Sequence, residues 1–258
     1  MLDANKKVAF KNHFNAHEKV IIRKNENNEL KSISLKYYNN QLPIAKPPFS
    51  ENNAVASSFK PQLVSQLNFD STNHIEYTIQ EKGLYHFQTS NQTKTGLTLF
   101  NFHKHFPKVK TPEDMIGPMR YISTKKEYEL LLKSENKKLA VDNYWLKIAE
   151  SSERARTLIR AFYTRVESAN KYFTSYMEGW KTDRGIIYII YGAPHVVYKN
   201  RDYENWIYGE ENNMMSISFM FHKVNNPIST NDYSLSRSAL FKSSWFRAVD
   251  GWRSGRIY

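Results

Sequence analysis

The sequence predicts an α+β protein in two parts: an antiparallel β-sandwich of immunoglobulin-like type over residues 1–110, and helices on a small antiparallel sheet over residues 111–258. Apolar residues alternate with polar ones in the first part, which is typical of strands with one buried face. In the second part they recur at spacings of three and four, which favours amphipathic helices. A length of 258 residues leaves room for two domains of ordinary size.

The first part contains six or seven short strand patterns separated by turn formers. In one, Ile33, Leu35 and Tyr37 alternate with polar residues, and in another Ile75, Tyr77 and Ile79 do so. Further strands are predicted at 19–23, 63–69, 84–89 and 96–102. Many short strands in about 100 residues favour a sandwich. The Pro- and Ser/Asn-rich stretch 43–58 is expected to form a long exposed loop or an edge.

A linker is predicted between Pro107 and Ile122, because Pro112, Gly117 and Pro118 interrupt any regular pattern. Thr124 and Glu127 then form a capping box that opens a helix to Leu132. Two further helices follow, one around 139–148 and a long one from 155 to 177. Gly179 is expected to end the long helix as a C-terminal cap with positive φ.

The last stretch is predicted to form a three-stranded antiparallel meander followed by one helix. The apolar run 186–191 is the first strand, 203–208 the second and 215–221 the third. Phe241, Trp245, Ala248 and Trp252 are spaced by four, three and four residues, which indicates the closing helix. Helices on one face of a small sheet complete the α+β assignment.

The net charge of +12 is spread evenly along the chain. Residues 1–120 hold 16 basic and 10 acidic residues, and residues 121–258 hold 21 and 15. Nucleic-acid sites usually concentrate basic residues on one arm or face, so we expect no nucleic-acid partner. Solvated lysines are the preferred explanation, with attraction to anionic lipid or lipopolysaccharide as an alternative.

The absence of cysteine excludes disulfides, thiolate metal sites and cysteine nucleophiles, and it fits an oxidising compartment. No run of 18 apolar residues occurs, so no transmembrane helix is expected. The start of the chain lacks the apolar core of a signal peptide. We therefore expect either a cytoplasmic protein or one whose signal has been removed.

No catalytic residues, cofactor or metal ligands are predicted. The pairs His13/His17 and His103/His105 have metal-compatible spacing, but no carboxylate pattern accompanies them. The sequence also has no nucleophile elbow, phosphate-binding glycine loop or His-Glu-x-x-His motif. Surface or strand-end histidines are the preferred interpretation.

The segment Gly179-Trp180-Lys181-Thr182-Asp183-Arg184-Gly185 carries the most information. We expect Trp180 to bury its ring at a helix–sheet junction. Thr182 and Asp183 should accept hydrogen bonds from turn N–H groups, and Arg184 should pair with Asp183 or Glu178. The functional alternative joins Asp183, Arg184 and His195 in one site, but an extended strand between them would separate its ends by about 20 Å. We favour the structural interpretation.

This segment, the later Gly192-x-Pro194, the aromatic strand around Trp206 and the closing Trp252-Arg253 resemble the GWxTD-domain family of bacterial proteins. The resemblance covers about residues 115–258, with a weaker likeness over the β-rich half. It implies a Gram-negative envelope protein, often a lipoprotein, with no established biochemical activity. The order of helix, Gly-x-Thr, strand and Gly-x-Pro is also similar to small outer-membrane lipoproteins of the β-barrel assembly machinery. Those bind protein partners, but this chain lacks a signal and an acylatable cysteine.

These observations together predict a non-catalytic envelope protein, located in the periplasm or at the outer membrane, that assembles with envelope protein partners, an outer-membrane protein among them. Peripheral or lipid-anchored membrane attachment is compatible with this interpretation. The alternative is a protein that binds or processes cell-wall glycan. We select four residues as candidates for interaction: Tyr203, Tyr208, Trp252 and Arg253.

Overall fold

A computed structural model describes residues 1–2, 8, 10–39, 43–51, 60–90, 96–211 and 213–256. The described residues form two compact units. The first unit holds the described residues up to 43, together with 60–106 and 225–230. The second holds 44–51, 107–224 and 231–256. Together the two units give the α+β composition that the sequence predicts.

The first unit contains two antiparallel sheets. Strands β1 (Lys19–Arg23) and β4 (His74–Thr78) form one, and the other has the order β3-β2-β5-β6. Its strands are β2 (Ser32–Tyr38), β3 (Leu63–Asn68), β5 (Gly83–Gln88) and β6 (Leu97–Asn101). All six strand predictions in this region are confirmed, because period-2 alternation and turn residues together fix both the type and the position of a strand.

Both sheets of the first unit contribute to one core. Val20 and Ile75 from the two-stranded sheet are buried in the same cluster as Leu35, Phe87 and Leu99 from the four-stranded sheet. The pairings match the B–E and C′–C–F–G pairings of an immunoglobulin-like sandwich. The predicted sandwich of this type is therefore confirmed in the described part of the chain.

A tyrosine corner supports the same assignment. The Tyr85 hydroxyl near the start of β5 donates to the Glu81 carbonyl oxygen at 2.8 Å and accepts from the Glu81 N–H at 2.9 Å. In immunoglobulin-like domains a tyrosine in the equivalent strand bonds back to the backbone a few residues upstream. The contact ties the β4–β5 connection to the core.

Part of the predicted exposed loop lies in the second unit. Ile44, Ala45 and Phe49 pack against the core of that unit, and the Ala45 N–H donates to the Lys181 carbonyl at 2.9 Å. The expectation of an exposed loop is wrong for these residues, because prolines prevent ladder pairing without preventing burial of the apolar residues between them. Residues 52–58 of the predicted loop lie outside the described residues.

The second unit begins with four helices: α1 (Pro112–Met119), α2 (Lys125–Lys133), α3 (Lys137–Ala149) and α4 (Ser152–Phe173). The capping box of Thr124 and Glu127 is confirmed at the start of α2. Helix α1 corrects the predicted linker. Thr111 caps it with Asp114 in a second capping box, and Pro112 occupies the first turn, where a missing N–H costs nothing.

Helix α4 ends earlier than expected, at Phe173, and Gly179 does not cap it. Gly179 instead opens a 3-10 turn, Gly179–Lys181, and its φ is not among the positive values of the described glycines. A Cβ on Gly179 would lie 1.8 Å from the Ala169 carbonyl oxygen of α4. Close backbone packing, and not a left-handed cap, explains this glycine.

The predicted strand 186–191 is wrong, because this segment is helix α5 (Asp183–Tyr191). A short run of isoleucines is equally compatible with a buried strand and with a buried helix. Thr182 favours the helix, because its side chain is the N-cap and accepts a hydrogen bond from the Gly185 N–H at 3.1 Å. Four isoleucines of α5, at positions 186, 187, 189 and 190, are then buried in the core.

The sheet of the second unit has four antiparallel strands in the order β10-β9-β8-β7. They are β7 (Val196–Lys199), β8 (Tyr203–Tyr208), β9 (Ile217–Lys223) and β10 (Tyr233–Leu235). The second and third predicted strands and their antiparallel pairing are confirmed. The predicted three-stranded meander is not, because its first strand is helix α5, and the sheet instead includes β7 and β10, two short strands that were not predicted. The last helix, α6 (Phe241–Arg253), is confirmed. The helices and one face of this sheet enclose a single core.

Replacing Tyr85 with phenylalanine should destabilise the first unit by about 1–2 kcal/mol, because the Glu81 backbone loses both hydrogen bonds. Hydrogen exchange of the β5 amides measures the effect. Tyr77→Phe is the matched control, since the Tyr77 hydroxyl has no hydrogen bond in the part of the chain that the structure describes. Equal exchange in the two variants would contradict a stabilising tyrosine corner.

Candidate functional site

The glycines of the Gly179–Gly185 segment let three backbone segments meet. A Cβ on Gly185 would lie 1.8 Å from the Gly179 carbonyl oxygen, so the 3-10 turn packs directly on the first turn of α5. The Asn170 side chain holds the turn from α4 by accepting from the Trp180 N–H at 3.2 Å. Trp180 is buried as expected, but its ring lies against Gly117 of α1, an element absent from the sequence prediction.

Asp183 makes its contacts outside its own turn. Its carboxylate accepts from the Leu235 N–H of β10 at 2.8 Å and forms an ion pair with Arg237. Both side chains of this pair are 11% exposed. The expected role as a turn acceptor belongs to Thr182 alone, whose hydroxyl also donates to the Gly179 carbonyl at 2.8 Å.

Arg184 pairs with Glu204 of β8 and not with Asp183 or Glu178, which corrects the expected pairing. Its Nη1 lies 3.2 Å from both carboxylate oxygens of Glu204, and the two side chains are only 5% and 6% exposed. The guanidinium lies 3.9 Å from the centre of the Tyr233 ring and donates to the Asn231 carbonyl at 3.0 Å. A buried charge needs such compensation, because desolvation is costly.

The Glu204 carboxylate is the centre of a wider network. It also accepts from Trp206 Nε1 at 3.2 Å and from Lys199 Nζ at 2.8 Å. Burial alone would raise the pKa of Glu204, but the hydrogen bond from Lys199 and the charge of Arg184 outweigh it, so the pKa lies below its usual value. Burial lowers the pKa of Arg184, and Glu204 opposes that shift. Both groups are therefore charged at neutral pH.

The remaining motif residues occupy structural positions. Gly192 ends α5 with a φ of 86°, which favours glycine, and half-buried Pro194 lies between α5 and β7. Trp206 is buried against Phe173 and Phe221, with ring centres 5.2 and 4.8 Å away.

The alternative site of Asp183, Arg184 and His195 is not assembled. Asp183 and Arg184 belong to two different ion pairs. The His195 ring, beyond the end of α5, accepts at Nδ1 from the Gly209 N–H at 3.0 Å. The three side chains thus have separate partners, and the geometry offers no acid–base pair.

The histidine pairs also lie in structural surroundings. The rings of His13 and His103 both pack edge-on against Phe106, each with ring centres 5.6 Å apart. The described residues contain no group of three or more histidine and acidic side chains that could hold a metal ion. Within the same residues, no helix has both the length and the hydropathy needed to cross a membrane.

Of the four candidate interaction residues, only Tyr203 is exposed. Tyr208 is buried and donates to the Gly192 carbonyl at 2.9 Å. Trp252 is 1% exposed, and its Nε1 donates to the Ile190 carbonyl at 3.1 Å. Arg253 is half-buried in an ion pair with Glu127, with Nη1 2.7 Å from the nearer oxygen. In this structure Tyr208 and Trp252 are unavailable to a partner.

On the outer face of the β7–β10 sheet, only Tyr203 was predicted from the sequence as an interaction residue. Glu204, Trp206 and Tyr208 of β8 point into the core, so the alternate positions 203, 205 and 207 point outward. Their neighbours in register on this face are Tyr198 of β7 and Met220 of β9. Tyr198, Tyr203 and Met220 are 47%, 36% and 38% exposed. We call this surface the open sheet face.

A cavity of about 560 Å³ lies elsewhere in the second unit, between α4, the end of α5, β9 and α6. Among the described residues three arginines line it, Arg165, Arg247 and Arg256, and Asp250 is the single acidic residue. Ile190, Tyr191, Ile217 and Trp252 provide apolar walls. We call this cavity the arginine pocket. The even distribution of charge does not indicate this pocket, because Arg165 on α4 is far in sequence from Arg247 and Arg256, which lie on and just after α6.

Replacing Glu204 with glutamine should destabilise the second unit by about 3–5 kcal/mol, because Arg184 would remain buried without a counter-charge. Tryptophan fluorescence during urea unfolding isolates this unit, since all five tryptophans lie in it. Lys199→Gln removes the exposed partner of the same carboxylate and should cost about 1 kcal/mol or less. A Glu204→Gln protein as stable as the parent would refute the assigned role.

Replacing Glu127 with glutamine should alter the pH dependence of stability. The hydrogen bond from Arg253 lowers the pKa of Glu127 to about 2 from an ordinary value of 4.5. A lowered pKa in the folded state adds stability above pH 4.5 that is lost as the pH falls towards 2. The difference in unfolding free energy between the parent and the variant should therefore be about 1 kcal/mol at neutral pH. It should shrink below pH 4.5.

The control for this measurement is Glu129→Gln, at an exposed position of the same helix. Glu129 has no ion pair or side-chain hydrogen bond among the described residues, so this variant should lose about 0.5 kcal/mol of stability or less. A pH-independent difference for Glu127→Gln would show that the ion pair with Arg253 does not form.

Comparison with known proteins gives one family and no individual relative. The model of the GWxTD domain matches residues 83–254, about two thirds of the chain. The match begins at β5 and so includes the last two strands of the first unit, part of the β-rich half for which the sequence suggests a weaker likeness. Neither the curated proteins nor the solved structures give a match. The chain belongs to the GWxTD domain family.

Proposed function

We propose that the protein is a non-catalytic component of the cell envelope that binds protein partners at the periplasmic side of an outer-membrane or secretion complex. The open sheet face carries this proposal. Tyr198, Tyr203 and Met220 expose apolar and aromatic surface on one face of the four-stranded sheet. Aromatic residues and methionine are enriched in protein interfaces, and exposed apolar patches often mark protein interaction sites.

The edge of the sheet adds a second mode of contact. Strand β7 is the last strand on one side within the described sheet, and three of its four residues are exposed. An edge strand can accept a further strand from a partner through main-chain hydrogen bonds. Tyr198 lies on this strand, so one partner could contact the edge and the open sheet face together.

The state of the motif also favours binding over catalysis. Thr182, Asp183 and Arg184 use their polar groups in internal contacts with the backbone, Arg237 and Glu204. A catalytic group must be able to reach a substrate, whereas these groups are bonded to other residues of the same chain. The motif therefore has a structural role: its contacts with Glu204 and Leu235 hold strands β8 and β10, which belong to the sheet with the open sheet face.

The glycan-processing alternative would be favoured by a pocket with clustered carboxylates, since glycoside hydrolysis generally uses two of them. The arginine pocket has one, Asp250. Its chemistry supports binding of an anion better than hydrolysis, so glycan processing stays an outcome of the test below. The proposed compartment follows from the resemblance to envelope proteins, and it is tested in the same experiment.

The test places a photo-cross-linking amino acid at Tyr203 or at Met220 in producing cells. Both positions should give the same discrete cross-linked species in the envelope fraction. Lys126, exposed on α2, is the control position and should give none. Introducing charge by Met220→Glu should abolish co-purification of that species without lowering the unfolding midpoint, because position 220 is on the surface.

A protein found only in the cytosol, with no cross-links from either sheet position, would refute the proposal. Cross-links from Lys126 that match those from Tyr203 would show unspecific proximity and would also refute it. Release of soluble fragments from cell-wall polymer by the purified protein would favour the glycan-processing alternative.

A further inference from the structure

The described lining of the arginine pocket has more positive than negative charge, and no ion pair among the described residues neutralises the excess. Arg165, Arg247 and Arg256 border one cavity, and Asp250 is the acidic residue of its lining. Asp250 forms no ion pair with any of the three within the described residues. Like charges around a shared cavity repel one another, and an anion bound between them would remove that repulsion.

Arg165 is the most buried of the three arginines and has the clearest orientation. Its Nη1 donates to the carbonyls of Ile189 and Ile190 at 3.3 and 3.2 Å, at the C-terminal end of α5. Its guanidinium carbon lies 5.0 Å from the centre of the Trp252 ring. These contacts fix the plane of the guanidinium, and burial lowers its pKa.

Arg165 lines the pocket and has hydrogen-bond donors that the contacts with α5 do not use. Both of its hydrogen bonds within the described residues use Nη1, which leaves the donors on Nη2 and Nε. No carboxylate pairs with it in that part of the chain. A guanidinium carries five N–H donors in a planar fork that matches phosphate and carboxylate geometry.

Arg247 and Arg256 add exposed charge at the same cavity. Both side chains are exposed, and neither has a side-chain hydrogen bond or ion pair among the described residues. Arg247 lies on α6, and Arg256 lies just beyond the end of that helix. They are therefore able to turn towards a ligand at little structural cost.

We propose that the arginine pocket binds a small oxyanion, a phosphate or carboxylate group, joined to an apolar or ring-bearing group. The arginines would hold the oxyanion, with Arg165 as the preorganised partner. Ile190, Tyr191 and Ile217 would contact the apolar part. A volume of about 560 Å³ lies within the usual range for small-molecule sites. This site is separate from the open sheet face and does not depend on the proposed protein partner.

The test is isothermal titration of the full chain with phenyl phosphate and with benzoate, each compared with inorganic phosphate. Saturable binding should be tightest for the probes that combine an oxyanion with a ring. Arg247→Gln should weaken it about tenfold, the usual effect of losing a charged hydrogen bond. The double variant with Arg256→Gln should reduce binding below detection.

Arg201→Gln is the matched control, because it removes the same charge from an exposed turn that does not line the pocket. It should leave affinity unchanged within about twofold, the change expected from long-range charge alone at physiological salt. Arg165→Gln is a secondary variant, since it also removes the contacts to the end of α5. Arg247 and Arg256 are exposed, so their variants should unfold at the parental midpoint.

Flotation with vesicles distinguishes two sources of the oxyanion. If vesicles of phosphatidylcholine containing phosphatidylglycerol bind the chain through Arg247, and vesicles of phosphatidylcholine alone do not, the ligand is a lipid headgroup. If only the soluble probes bind through Arg247, the ligand is a free small anion. The proposal is overturned if no probe and no vesicle binds, or if Arg247→Gln and Arg201→Gln reduce binding equally.

Discussion

The second unit is organised around a charge that has to be compensated inside the protein. Arg184 lies in the first turn of α5 with a side chain that is 5% exposed, and Glu204 of β8 supplies the opposite charge. An unpaired guanidinium at this depth would cost several kcal/mol. The helix and the strand therefore have one acceptable relative position, which brings the two groups into contact. Two residues at and just before β10 also contact the Arg184 guanidinium: the Tyr233 ring packs against it, and the Asn231 carbonyl accepts a hydrogen bond from it.

The neighbours of Arg184 in the sequence make three other structural contacts. Thr182 caps α5, Asp183 pairs with Arg237 and accepts from the Leu235 backbone of β10, and Gly185 allows contact with the Gly179 carbonyl. Each of these roles requires a particular side chain or the lack of one. The segment is thus a junction at which α4, α5, β8 and β10 are joined by polar contacts inside an otherwise apolar core.

The sequence predicted those features that depend on local pattern. The strands of the first unit and helices α2, α3, α4 and α6 followed from periodicity and turn residues. Helix α5 did not, because its isoleucines favour a strand locally and tertiary burial overrides that preference. The cap at Thr182 and the Thr111–Pro112–Asp114 start of α1 are local signals, and both helices could be predicted from them. The partners of Arg184 and Asp183 lie 20 and 54 positions away, and local pattern gives no information on such pairs.

The buried ion pair also determines which side chains reach the surface. Successive residues of a strand point to opposite faces, so burial of Glu204 places its neighbours Tyr203 and Asn205 on the open sheet face. A slip of one residue would bury Tyr203 and expose Glu204, leaving Arg184 uncompensated. The motif therefore controls which residues form the open sheet face, the proposed binding surface. This connection gives a physical reason for a strongly patterned segment in which Thr182, Asp183 and Arg184 all use their side-chain polar groups in internal contacts.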